Sequence, residues 1–135
     1  MSGAITALRK AARARLAGDA ALTALTGGVK IYDEAPVAAT APYIAFGAAS
    51  ARDWSGVNAR GVEQVLTIEI WSEQPGAREA LEIADRALTL LDDAALALDG
   101  HTLVNLRFVS RDISRAAEGR FFRAGLRLRA VTETL

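Results

Sequence analysis

The chain has 135 residues, 51% of them hydrophobic and 24% charged, which suits one folded domain and excludes a disordered chain. It lacks cysteine, so disulfides and thiolate metal sites are excluded, and no apolar run approaches the ~20 residues needed to span a bilayer. Net charge is zero but uneven: residues 1–18 hold four bases and no acid, 19–104 hold 13 acids against five bases, and 105–129 hold seven arginines against two acids. Basic ends around an acidic middle suit self-association between copies, or ion pairs side by side within one fold.

Ser2 is a candidate N-cap, and Ile5, Leu8, Ala12 and Leu16 space as one helical face opposite Arg9, Lys10 and Arg13. This N-terminus has no continuous apolar core, so no signal peptide is expected. Gly18 should end the helix in the left-handed conformation, and Asp19 should cap a short helix from Ala20 to Leu25. Val29–Tyr32 and Tyr43–Gly47 read as strands, joined by an extended connector bracketed by Pro36 and Pro42. The small, polar stretch Ala48–Gly61 reads as a loop too long for a tight turn. Trp54 at its middle is either an anchor folded back on the core or a contact for a partner.

Val62–Trp71 alternates as a half-buried strand, with Leu66, Ile68 and Ile70 on one face and Thr67 and Glu69 on the other. After the break Ser72–Gly76, a helix is predicted over Ala77–Leu91. Its apolar stripe is Ala80, Leu81, Ala84, Ala87, Leu88 and Leu91, widened by Ile83 and Leu90. Strand and helix should cover each other and form the core. Leu96 and Leu98 suggest a short strand before the Asp99–Gly100 turn. Leu103–Ile113 then alternates, with Val104, Leu106 and Phe108 opposite Asn105, Arg107 and Arg111. A turn at Ala116–Gly119 leads to a strand over Arg120–Thr134, with Phe122, Ala124, Leu126, Leu128 and Ala130 opposite Arg123, Arg127 and Arg129. These two strands should pair antiparallel and share an arginine face. The predicted class is α+β: a mostly antiparallel sheet with a long helix packed on one face and an N-terminal helix beside it.

Catalytic constellations are missing from the sequence. The single histidine, His101, reads as a solvated turn residue, and Asp33–Glu34 and Asp92–Asp93 sit at element ends, where neighbouring carboxylates point apart. No nucleotide-binding or nucleophile-elbow motif occurs, so neither an enzyme nor a cofactor or metal is expected. Of the 16 basic residues, 14 are arginine, whose planar fork suits carboxylates and phosphates. The arginine face could follow a nucleic-acid backbone, but no aromatic is expected to be interleaved with those arginines on the exposed face, so base stacking is not indicated.

Several landmarks together resemble the phage tail-completion proteins, or tail terminators, of long-tailed phages and phage-like gene transfer particles. They are Leu22–Leu25, Gly28–Pro36, Ala41–Gly47, Leu66–Ser72 followed by a glycine and the helix from Ala77, and the last strand ending Arg129-Ala130-Val131-Thr132. The resemblance implies a single tail-terminator-like domain over 1–135 that does no chemistry. It further implies a homo-hexameric ring at the head-proximal end of the tail tube, touching the tube protein and the stopper or neck protein, with DNA passing through its bore. Its place would be the neck of a virion or phage-like particle, assembled in the bacterial cytoplasm, without membrane contact. Loop length and charge point to Asp53, Trp54, Arg60, Arg107, Arg111, Arg123, Arg127 and Arg129 as subunit or partner contacts. The rival readings are a nucleic-acid-binding module using the arginine face, and another neck or tail component such as the stopper or tube subunit.

Overall fold

In the computed structural model, residues 2–57, 60–116, 119 and 121–134 are described. The Ser2 side chain, Asn58 and Ala59 of the predicted loop, and Ala117, Glu118 and Arg120 of the predicted turn and strand lie outside the described residues. Among the described residues, three helices, α1 (Ser2–Ala17), α2 (Ala20–Thr26) and α3 (Arg78–Leu91), accompany a mixed sheet of seven strands in an α+β arrangement. The strands are β1 (Ile31–Tyr32), β2 (Tyr43–Phe46), β3 (Ser50–Asp53), β4 (Gly61–Ser72), β5 (Ala97–Leu98), β6 (His101–Arg115) and β7 (Phe122–Thr134). Their order is β1-β2-β4-β7-β6-β5, with β3 also on β4; β1 and β2 run parallel and the other pairs antiparallel.

The core forms where β4 and β7 pair along their full length, setting Leu66, Ile68 and Ile70 beside Leu128, Leu126 and Ala124. All six are buried, and they join one cluster with Leu8, Ala12 and Leu16 of α1, Leu22 of α2, and Ile83, Ala84, Ala87 and Leu91 of α3. The helices therefore share one face of the sheet, and the opposite face is termed the outer face below. The α3 stripe is rotated slightly from its predicted centre: Ile83 and Leu90 are buried, while Leu81 and Leu88 lie at its margin. Ser72 ties the strand to this helix, its Oγ donating to Glu79 Oε1 at 2.6 Å and accepting from the Gln74 N–H at 3.2 Å.

Four expectations change. Helix α1 ends at Ala17 as predicted, but Gly18 does not take a positive φ; the chain turns because Asp19 starts α2. Asp19 accepts from the Leu22 N–H at 2.8 Å and forms a two-pronged ion pair with Arg86 of α3 at 2.8 and 2.6 Å. The connector between Pro36 and Pro42 turns rather than extends, the Ala39 N–H bonding the Pro36 carbonyl at 2.9 Å. Proline restrains the residue before it, and leaves Val37 and Ala38 free to turn.

The predicted loop Ala48–Gly61 contains a strand. β3 pairs with the first third of β4, and β2 pairs with its last third along the same edge. Between Phe46↔Ile68 and Ser50↔Val65 the register slips by one residue, so β2 and β3 act as one strand interrupted by a bulge. Gly47 permits it: an added Cβ would stand 2.9 Å from Thr67 Cγ2. The Arg9 guanidinium of α1 also donates to the Gly47 carbonyl. All four β3 residues are exposed, so the strand carries no apolar alternation and reads as loop in the sequence. The fourth change is in β6, where register shifts leave Val104 and Val109 unpaired. Beyond Val109 the faces exchange, so Arg111, opposite Leu126, lies on the helix face and pairs with Asp85 of α3. It does not share a face with Arg107.

Two measurements check this account. Leu126→Ala, at a fully buried position in the central ladder, should cost about 2–5 kcal/mol in urea unfolding. The Arg86 guanidinium, helped by the Leu22 N–H, holds the Asp19 carboxyl down to about 2 from the ordinary 3.8. A depressed carboxyl stabilises the fold above its unfolded value and loses that contribution as pH falls through the folded one. The stability gap between the wild type and Asp19→Asn should therefore be full above pH 3.8 and close as pH falls towards about 2.

Candidate functional site

Among the described residues no helix covers the outer face, and the register of β4 and β7 dictates what it carries. Glu63, Val65, Thr67, Glu69 and Trp71 of β4 stand opposite Val131, Arg129, Arg127, Gly125 and Arg123 of β7. Arg107 pairs in register with Arg129, Ser110 with Arg127, and Ser114 with Arg123. Arg107, Arg123, Arg127 and Arg129 are thus brought together, and only Arg111 of the expected set is not.

Most of these arginines are already partnered. Glu63 accepts from both Arg52 of β3 and Arg129, and the two guanidiniums, Arg52 first, hold its carboxyl below the usual range. Arg123 bridges Glu69 at 3.3 Å and Asp112 at 2.6 Å. Arg107 lies 3.8 Å from Asp92. Arg127 is exposed with no acid partner among the described residues, at the rim of a groove of about 380 Å³ lined by Ala48, Ser50, Val65, Thr67 and Val109. Alternating cations and carboxylates make a polar, nearly neutral face, unlike the free cation row that follows a phosphate backbone.

Trp54 sits at one end of this face. Its ring lies under the Arg52 and Arg129 guanidiniums, 5.3 and 5.2 Å from its centroid, and remains 48% exposed. The loop aromatic is therefore anchored on the ion-pair network, not in the core. Asp53 is exposed and accepts from Ser55 Oγ at 2.7 Å, and the exposed Arg60 accepts at its carbonyl from the Thr134 N–H at 3.0 Å. At the other end of the face runs a row of rings: Tyr32 to Tyr43 at 5.9 Å, Tyr43 to Trp71 at 6.5 Å, and Trp71 to Phe121 at 5.9 Å. Arg123 stands opposite Trp71. Aromatics are thus interleaved with the arginines, contrary to expectation. They come from β1, β2, β4 and a loop, not from the two arginine strands, so reading those strands alone misses them.

The basic side of α1 is equally occupied: Arg9 bonds Asp33 at 2.9 Å, Lys10 bonds Asp99 at 2.7 Å, and Arg15 donates to the Leu90 carbonyl at 3.1 Å. Among the described residues, no cluster of three histidine, cysteine or carboxylate side chains is placed to hold a metal, and no helix is long and apolar enough to cross a membrane.

The model of a family described as tail completion protein gp17 matches residues 10–133. A chain from the solved structure titled "Virion of native gene transfer agent (GTA) particle" is similar to this one at a TM-score of 0.88 and 28% identity, covering 96% of each chain. No curated protein matches. Glu63→Gln should release both guanidiniums from their shared carboxylate: in a Trp71→Phe background, Trp54 emission should move to longer wavelength and its quenching by acrylamide should rise.

Proposed function

The chain belongs to the tail completion protein gp17 family, and on that premise we propose that it is a tail terminator. Copies of a single domain over residues 1–135 form a homo-hexameric ring that caps the head-proximal end of a phage-type tail tube and joins it to the stopper or neck protein. DNA passes through the bore without being read. The ring is assembled in the bacterial cytoplasm and stays at the neck of the virion or phage-like particle. The role is structural, with no reaction and no cofactor. What carries this reading is the likeness to a chain of a gene transfer agent virion over 96% of both chains.

The outer face supplies the partner surface. It offers a half-exposed Trp54, an exposed Arg127 without an acid among the described residues, and the exposed Arg107, with Arg123 and Arg129 as the fixed framework, while exposed Asp53 and Arg60 lie at its margin. An aromatic ring held in place by guanidiniums loses little side-chain freedom on docking, the property of interface anchors. Arg111 contributes from the helix side. The rival nucleic-acid reading is disfavoured by the carboxylates paired with Arg123 and Arg129, which would have to be displaced by phosphate.

Electron microscopy of purified chain mixed with tube protein tests the proposal. The expected result is tubes capped at one end, and Trp54→Ala should weaken capping about tenfold or more, the loss of one interface anchor. Growth of the chain into tubes by itself would sink the terminator role. Tight duplex-DNA binding with a steep salt dependence would favour the nucleic-acid module instead.

A further inference from the structure

Side chains and turns cover parts of the sheet's edges and leave others open. On the β1 side, Arg13 Nε donates to the Ile31 carbonyl at 3.1 Å. On the β6 side, β5 covers His101 and Thr102, the Asp93 N–H reaches the Leu106 carbonyl at 2.7 Å, and Asp92 Oδ1 accepts from the Phe108 N–H at 2.8 Å. The two longest stretches with neither a partner strand nor a covering hydrogen bond among the described residues are β6 beyond its second bulge, over 109–115, and the far side of β3.

The hydrogen bonds fix which residues turn their backbone outward there. The Ala116 N–H bonds the Phe121 carbonyl at 2.7 Å, so alternation along the ladder directs the N–H and C=O of Arg111, Ile113 and Arg115 away from β7. The Trp54 N–H bonds the Gly61 carbonyl at 2.8 Å, so Ala51 and Asp53 turn theirs away from β4. Free edges in natural sheets are commonly blunted by proline, lysine or a covering segment. The run Ala48-Ala49-Ser50-Ala51 has neither proline nor lysine, and the β6 stretch exposes Val109 and Ile113.

We infer that these two edges meet between copies: residues 109–115 of one subunit add as a strand to β3 of a second copy, continuing the sheet from subunit to subunit. The inference rests on the ring reading above. The two edges are different surfaces, so the contact is head-to-tail, the kind that closes into a ring when its rotation permits. Charge selects this pairing. In the antiparallel register that sets Ile113 of one copy opposite Ala51 of the other, Asp53, which has no cation partner among the described residues, comes to face Arg111. A symmetric pairing of two 109–115 edges would instead set Arg111 of one copy against Arg115 of the other, a like-charge clash. Main-chain hydrogen bonds would provide the affinity and the side chains the register.

Proline variants test it, because each removes an outward N–H that the single subunit does not use. Native mass spectrometry of the full chain at high concentration should find a ring in the wild type, and monomers in Ile113→Pro and Ala51→Pro with unchanged circular dichroism and melting. Rings that persist in both folded variants overturn the edge contact and leave the ring reading standing. A wild type that stays monomeric overturns both. If either proline variant melts early, cysteine pairing decides, since the chain has no cysteine of its own. A mixture of Ala51→Cys and Ile113→Cys proteins should form the mixed disulfide under mild oxidation several-fold above either protein alone. Failure to cross-link, or equal cross-linking of Ile113→Cys with itself, overturns the inference.

Discussion

The pairing of β4 with β7 is the interaction on which the other elements depend. Twelve residues of β4 meet β7 without a slip, and because side chains alternate, one register divides the sheet into two chemically distinct faces. On one, Ile68 meets Leu126 and Leu66 meets Leu128, a surface that three helices cover; on the other, Thr67 meets Arg127 and Glu69 stands near Arg123. A shift of one residue would turn the arginines into the core and the leucines to solvent, a cost far beyond the marginal stability of a domain. The arginine face is therefore a consequence of the hydrophobic core, held in register by what lies behind it.

Bulges then adjust what this ladder presents. The slip at Gly47 lets one edge of β4 carry two short strands, and it places Arg52 of β3 beside Glu63, where with Arg129 it frames Trp54. An added Cβ at Gly47 would press on the Thr67 and Glu69 side chains, so a larger residue would strain the slip that precedes β3. The slip at Val109 has the opposite sense: it removes Arg111 from the arginine face and gives it to Asp85 of α3, pinning the long strand against the helix. Two one-residue irregularities thus decide which charged groups stand together.

The same irregularities explain what could be read from the residues. The central strand and α3 were legible because their apolar periods of 2 and 3.6 are uninterrupted, and the short β5 because Asp99–Gly100 marks its turn. Strand β3 was not, since with neither face buried it has no period to show. Arg111 was placed on the wrong face because counting by twos assumes an unbroken ladder. Of the site, the arginines of β7 were visible; their carboxylate partners Glu63 and Glu69 were visible as residues but not as partners, lying 66 and 54 positions away in the chain. The aromatic row shares that fate, being drawn from separate strands.

Charge shows the same distinction between composition and arrangement. Basic ends around an acidic middle fit attraction between copies as well as pairing within one. The described ion pairs favour the second for most groups: Lys10 reaches Asp99, Arg9 reaches Asp33, Arg86 reaches Asp19, and Arg129 reaches Glu63. Charges satisfied inside a subunit contribute little new attraction between subunits, because exposed pairs are worth little and are screened by salt. The assembly proposed above would then draw on what is left unsatisfied among the described residues: backbone at strand edges, the half-exposed indole of Trp54, and charges such as Arg127 and Asp53. Their scarcity favours selectivity: a partner that does not match both the edge and its few charges gains almost nothing from the rest of the surface.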